Sequence, residues 1–164
     1  MKSLIICVSA SNGNTRRVAD RMAEVLEADV VAPEAVDVGA LGQYDLVGFG
    51  SGIYFMAVHP RLWKLVRRLP TDRTGNRRAF TFFTSGAPRM RLLDYGGPLH
   101  ARLTAKGFDV LDSFSCLGFD TVGPLRFVGG VNKGRPSESD LDEAGEFAAR
   151  LRRRVEIAQA PPML

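Results

Sequence analysis

The chain has 164 residues, of which 45% are hydrophobic and 24% charged, and its formal net charge is +4. These values are typical of one globular domain with a full core, and no apolar run approaches the roughly eighteen residues of a membrane span. The two cysteines, Cys7 and Cys116, lie far apart and outside metal-binding spacings, which argues against a disulfide framework and a zinc site. The N-terminus lacks a signal-peptide pattern, so we expect a cytoplasmic protein without an integral membrane segment. Basic residues are not interleaved with aromatic ones, so we expect no nucleic-acid partner.

Short apolar runs alternate with amphipathic stretches along the chain. The apolar, β-branched runs predict five strands, over residues 3–9, 29–33, 45–51, 78–85 and 108–116. Apolar residues at helical spacing predict helices from residue 15 onward and over residues 59–69, 92–106 and 137–158. Strands that alternate with helices predict an α/β fold with a parallel sheet covered on both faces. We expect one domain over residues 1–158 and a tail over residues 159–164.

One segment departs from this alternation. Residues 116–136 join the fifth strand to the last helix, contain five glycines and show no helical pattern. Connections of this length without secondary structure are uncommon in compact domains and are often functional.

The loops that follow the predicted strands are candidates for a binding site. In an open parallel sheet, ligands bind beyond the carboxyl ends of the strands, where the strand order reverses. The first loop, residues 9–15, is rich in Ser, Asn and Gly and opens a helix whose first N–H groups are unpaired and partially positive. It has no lysine, so it is not a P-loop, but it suits a phosphate. The same residue types are also common in ordinary turns, and both interpretations stay open on these residues alone.

Several motifs resemble those of flavodoxins. The stretch SASNGNT, followed by RRVADRM, resembles the flavodoxin phosphate loop and first helix, because Gly-Asn-Thr at positions 13–15 and Ala19 match the family pattern. Two positions depart from that pattern: Ala10 stands where a hydroxyl residue is often found, and Met22 replaces a branched aliphatic residue. The stretches GSGIYF (50–55) and TSGAP (84–88) resemble the two loops that flank the flavin.

This resemblance implies a fold, a cofactor and a set of site residues. The implied fold is a three-layer αβα arrangement with a five-stranded parallel sheet in the order 2-1-3-4-5, and the implied cofactor is FMN. The residues that would hold the phosphate are Ser9, Ser11, Asn12, Gly13, Asn14 and Thr15. Those that would line one side of the flavin ring are Ser51, Gly52, Ile53 and Tyr54, and those on the other side are Thr84, Ser85 and Gly86, with Ala87 and Pro88 behind them.

Three functions are compatible with the sequence. The first is an electron carrier between redox partner proteins. The second is an FMN-dependent oxidoreductase of the same fold, of the quinone reductase or protoporphyrinogen oxidase type, and the third is a binding module that has lost the cofactor. The stretch GFGSG lacks the Rossmann spacing, so no NAD(P)H site is indicated. The oligomeric state, monomer or homodimer, is not specified by the sequence.

Positive charge is the feature that bears on partners and on reduction potential. Lys133 and Arg135 in the long loop favour an acidic redox partner or an anionic substrate. Arg89 and Arg91 follow the fourth-strand loop, where a positive charge would stabilise an anionic reduced flavin. We therefore expect a potential less negative than in acidic flavodoxins.

Overall fold

The computed structural model describes residues 1–10, 12–72, 74, 77–86, 95–121 and 123–160. Its strands are β1 (Ser3–Val8), β2 (Asp29–Val31), β3 (Leu46–Tyr54), β4 (Ala57–Val58), β5 (Arg77–Ser85) and β6 (Phe108–Leu117). Five of them form a parallel sheet in the order β2-β1-β3-β5-β6, and the two-residue β4 pairs antiparallel with the end of β3. With β4 set aside, this is the predicted order 2-1-3-4-5, so the predicted fold class is confirmed.

Helices cover both faces of the sheet. They are α1 (Asn14–Leu26), α2 (Pro60–Arg68), α3 (Gly97–Ala105) and α4 (Glu138–Gln159). Alternate residues of β1 enter opposite cores, because successive strand side chains point to opposite faces: Ile5 packs with α1 and α4, and Ile6 with α2 and α3. Among the described residues, no helix is long and apolar enough to cross a bilayer.

The helix boundaries follow local capping chemistry. Helix α4 begins with a capping box, in which Ser137 and Asp140 each accept a hydrogen bond from the other's backbone N–H. It ends at Gln159, one residue inside the predicted tail. Helix α3 begins only at Gly97, next to Pro98, so it is shorter than the predicted 92–106 stretch, of which residues 92–94 lie outside the described residues.

Two glycines in β3 make room for an aromatic stack in the core. Gly48 and Gly50 pair with Phe80 and Phe82 of β5, and a Cβ at Gly50 would lie only 1.9 Å from the Phe82 ring. The two phenyl rings stack with centroids 6.0 Å apart, and both are fully buried. The missing side chains in β3 thus allow the β5 rings to lie across the sheet beneath α1 and α4.

Replacing Gly50 with Ala should destabilise the fold. The added methyl group overlaps the Phe82 ring, and overpacking of this kind costs about 1–3 kcal/mol. Gly42→Ala is the matched control, because a Cβ there meets nothing within 4 Å. Urea unfolding gives the unfolding free energy of both variants. An unfolding free energy of Gly50→Ala within error of the wild type would contradict this account of the core.

Both cysteines are shielded from chemistry. Burial raises the pKa of the Cys7 thiol to about 12, and burial likewise raises the pKa of Cys116 to about 12. A raised thiol pKa leaves the protonated, unreactive form dominant at neutral pH. We therefore expect both thiols to stay protonated at neutral pH in the folded protein.

Thiol titration tests this shielding. We expect neither cysteine to react promptly with a chromogenic disulfide at about pH 8, where an exposed thiol is partly ionised and reacts fast. In denaturant both should react, giving the full count of two thiols. One prompt equivalent in the native protein would show that Cys7 or Cys116 is accessible and its pKa nearer the ordinary value.

Candidate functional site

A cavity of about 210 Å³ opens at the carboxyl edge of the sheet. Four segments that are distant in sequence line it, each from the end of a different strand. The lining residues are Asn14, Thr15 and residues 52–55, 84–86 and 118–120. This is the edge at which the strand order reverses between β1 and β3, because β2 follows β1 on one side and β3 lies on the other.

The loop after β1 has the features of an anion cradle. The hydroxyl oxygen of Ser9 is buried and has no hydrogen-bond partner among the described residues. Gly13 is the N-cap of α1 in the left-handed conformation, with φ 68°, and supplies no side chain to the first N–H groups of the helix. A loop that contains an orphaned hydroxyl and leads into an uncapped helix N-terminus fits a phosphate group. Ser11, also predicted for this cradle, lies outside the described residues.

The two asparagines of this loop point to the β6 loop. The Asn14 amide nitrogen donates to the carbonyl oxygen of Phe119 at 2.7 Å. The Asn12 amide nitrogen donates to the same oxygen at 3.0 Å and to the Thr121 hydroxyl at 3.1 Å. The resemblance to flavodoxins implied that both side chains hold phosphate, whereas here both carboxamides connect the loop to residues 119–121.

Further hydrogen bonds join the other strand ends around the cavity. The hydroxyl oxygens of Thr15 and Thr84 lie 2.8 Å apart and connect α1 to β5. The Gly118 N–H donates to the Ser85 carbonyl at 2.9 Å, and the Asn132 amide donates to the Gly86 carbonyl at 2.7 Å. The cavity walls are therefore joined to one another across the sheet edge rather than held only by their own strands.

Tyr54 folds back over β3. Its hydroxyl accepts a hydrogen bond from the Ala10 N–H at 3.2 Å, and its ring contacts His59 edge to face at 5.3 Å. The ring lies so close to Gly52 that a Cβ there would come within 2.8 Å of it. Burial, with the nearby Arg61, lowers the pKa of His59, and its Nδ1 accepts the Arg61 N–H, as expected of a neutral imidazole that caps α2.

Strand β3 runs three residues further than predicted and ends in a hairpin. Ser51 is fully buried inside it, where its hydroxyl donates to the Gly52 carbonyl and accepts the His59 N–H. It is thus not among the lining residues, although the resemblance implied that it flanks the flavin. The turn itself holds Phe55 and Met56 at φ 47° and 63°, and their side chains are 90% and 59% exposed.

The long segment before α4 is ordered by its own hydrogen bonds. Asp120 and Val131 form an antiparallel bridge with N···O distances of 3.0 and 2.9 Å. The Phe119 N–H donates to the Arg135 carbonyl at 3.1 Å. A 3₁₀ helix, Gly123–Val128, lies between these ties, so a segment with no helical pattern in its sequence has a defined fold.

Charge is sparse in the cavity. Asp120 is the one charged side chain among the described lining residues, and its carboxylate lies where a Cβ at Gly86 would fall. Arg135 instead pairs with Asp140 at 2.7 Å. Burial alone would raise the pKa of Asp140, but hydrogen bonds from Arg135 and Ser137 outweigh it and lower that pKa.

The lowered Asp140 pKa gives the loop anchor a pH dependence. A carboxyl group with a lowered folded-state pKa stabilises the fold above its unfolded pKa, and that contribution is lost as the pH falls through the folded value. The link between residue 135 and the first turn of α4 is therefore complete near neutral pH and weakens only in acid.

Arg89 and Arg91, expected to place positive charge near the site, lie outside the described residues, as do Ala87 and Pro88.

Some lining residues are not in the set of site residues that the resemblance implied. Phe55, Gly118, Phe119 and Asp120 all line the cavity. Their main signal in the sequence is position, because they follow the β3 and β6 runs. No cluster of three or more His, Cys, Asp or Glu side chains suited to a metal ion occurs within the described part of the chain.

Comparisons with known proteins agree with this geometry. A family model for the flavodoxin domain matches residues 5–91. An uncharacterized protein of Methanocaldococcus jannaschii is 37% identical over 148 residues, which cover 90% of this chain and 96% of that protein.

Solved structures share the fold at low sequence identity. A flavodoxin from the domain Archaea superposes with a TM-score of 0.69 at 18% identity, covering 95% of this chain and 99% of that one. Flavodoxin 1 from Bacillus cereus superposes with a TM-score of 0.68 at 17% identity, covering 93% of this chain and 98% of that one. Rubredoxin oxygen:oxidoreductase from Desulfovibrio gigas gives 0.71 at 15% identity, and there 98% of this chain matches 37% of a longer one.

The position of the cofactor in flavodoxins agrees with the position of this cavity. Flavodoxins hold FMN at the switch point between β1 and β3, which is where the cavity lies. The family model includes the first loop and the ends of β3 and β5. On the family match and the close relative together, the chain belongs to the flavodoxin family, whose cofactor is FMN.

Proposed function

We propose that this protein binds FMN in the cavity at the carboxyl edge and carries electrons between redox partner proteins. The observation that carries the proposal is the loop after β1, which contains a buried Ser9 hydroxyl with no hydrogen-bond partner among the described residues and leads into the uncapped start of α1. A bound anion would accept hydrogen bonds from the Ser9 hydroxyl and from the first N–H groups of α1.

The phosphate group would be held by neutral donors. The Ser9 hydroxyl and the first N–H groups of α1 point to that role. In the Thr15–Thr84 pair one hydroxyl hydrogen joins the two oxygens, so the other hydrogen is available to donate into the cavity. Neutral donors in an enclosed site bind an anion through oriented dipoles, and the macrodipole of α1 adds to them.

The ring system would lie between two of the strand ends. Residues 52–55 form one side and residues 84–86 the other, with Phe119 and Asp120 on the β6 side. Bound FMN would supply reversible electron transfer, and the chain's own part is to bind and orient it. The Tyr54 hydroxyl accepts the Ala10 N–H and its ring contacts His59, whereas the exposed Phe55 side chain is available to cover the flavin ring.

A second candidate is an FMN-dependent oxidoreductase of the same fold. The observation that favours it is the ordered loop after β6, which adds a wall and the Asp120 carboxylate to the cavity. A carrier needs an accessible cofactor edge, whereas an oxidoreductase needs an enclosed place for a substrate next to the cofactor. The remaining positive charge, including the exposed Lys133, supports an acidic partner or an anionic substrate in either case.

Ser9→Ala tests the cradle. We expect the purified protein to bind FMN, and the variant to lose roughly 10- to 100-fold in affinity, because a hydrogen bond to a charged group is worth about 1.5–3 kcal/mol. Ser139→Ala, on the exposed face of α4, is the control and should bind like the wild type. Fluorescence quenching of FMN on titration gives both dissociation constants. A wild type that binds no FMN would refute the proposed function.

Reductive titration separates the two candidate functions. A carrier should take up electrons in two resolved one-electron steps and pass them to an acidic protein acceptor at a rate that falls with salt. An oxidoreductase should be reduced in a single two-electron step and turn over a quinone with NAD(P)H as the reductant. Quinone turnover with one unresolved reduction step would replace the carrier proposal by the second candidate.

A further inference from the structure

The carboxamides of Asn12 and Asn14 converge on a single acceptor. Both amide nitrogens donate to the Phe119 carbonyl oxygen, at 3.0 and 2.7 Å, across 107 and 105 residues of sequence. A carbonyl oxygen only accepts hydrogen bonds, so each side chain must turn its nitrogen toward it. Asn12 adds a third hydrogen bond, to the Thr121 hydroxyl.

The contact between Asn14 and the β6 loop is close and largely dry. Asn14 is 9% exposed, and a Cβ at Gly118 would lie 2.8 Å from its amide nitrogen. A side chain at position 118 would therefore displace either the Asn14 carboxamide or residues 118–121. Hydrogen bonds in such shielded places are stronger than those exposed to water, so this one contributes to holding the wall in place.

The rest of the loop is rigid on its far side. The Asp120–Val131 bridge and the bond from Phe119 N–H to the Arg135 carbonyl fix its shape, and Asn132 ties it to β5 at Gly86. On the α1 side, Asn12 and Asn14 both bond to this wall through the Phe119 carbonyl, and the Asn14 side chain lies against Gly118. The two carboxamides thus contribute to the position of Phe119 relative to the loop after β1.

We propose that Asn12 and Asn14 are positioning residues that hold the wall formed by residues 118–121, and that they act on the ring side of the cavity rather than on the phosphate. This inference rests on the proposed function for the identity of the ligand. It assigns two roles to the loop after β1. Ser9 and the backbone N–H groups bind the anion, and the asparagine side chains hold the wall in position.

Two flavins that differ only in the phosphate separate these roles. Asn14→Ala should weaken the binding of FMN and of riboflavin by the same factor, about three- to tenfold. The reason is that the lost hydrogen bonds position a wall that both ligands contact. Asn12→Gly is the second variant: its residue is exposed, and glycine keeps the left-handed backbone at φ 52° without strain. Ser9→Ala is the comparison variant. It should weaken FMN binding and leave riboflavin binding at the wild-type value.

Hydrogen exchange of the ligand-free protein supplies a readout that needs no flavin. Both asparagine variants should speed amide exchange over residues 118–121 about severalfold, because wall opening no longer breaks those bonds, while β1 and β3 stay protected. Unchanged exchange there overturns the positioning role. Loss of FMN binding alone, with riboflavin unaffected, overturns the division of roles. If the wild type bound neither flavin, the proposed function would fail, and the exchange data would still decide whether the asparagines hold the wall.

Discussion

The parallel pairing of β1 with β3 decides where everything else in this protein lies. Six consecutive pairs, from Ser3↔Leu46 to Val8↔Ser51, place the two carboxyl ends side by side. From there the chain leaves in opposite directions, because α1 packs on one face of the sheet and α2 on the other. Two helices that diverge from adjacent strands leave a crevice between their loops, and that crevice is the cavity.

The sequence predicts what depends on local periodicity. The five parallel strands and the buried faces of α2 and α4 follow from apolar runs and helical spacing, whereas the strand order followed from the resemblance to flavodoxins. Strand β3 runs three residues beyond the prediction, because Gly52 pairs with β5 and Ile53 and Tyr54 pair with β4. The residue types of the loops indicated the right edge of the sheet, because loops after parallel strands must meet there.

What the sequence cannot predict is the direction of individual polar side chains. Asn12, Asn14 and Ser9 are all plausible phosphate ligands on residue type, yet the first two are bonded to a segment more than a hundred residues away. Residues 116–136 are likewise ordered by contacts that no periodic pattern in the sequence indicates. Backbone hydrogen bonds join Asp120 to Val131 and Phe119 to Arg135. Contacts of this kind depend on the assembled sheet and become visible only in three dimensions.

The Phe55–Met56 turn has a thermodynamic consequence. Two-residue hairpin turns favour Asn-Gly because both central residues adopt positive φ, and a bulky residue there costs roughly 1–2 kcal/mol. This chain keeps two large apolar side chains in that backbone, one of them almost fully in water beside the cavity. A consensus turn would make a more stable protein, so the mouth of the cavity is a place where conformational stability has been given up, the trade-off found where proteins keep local strain for activity.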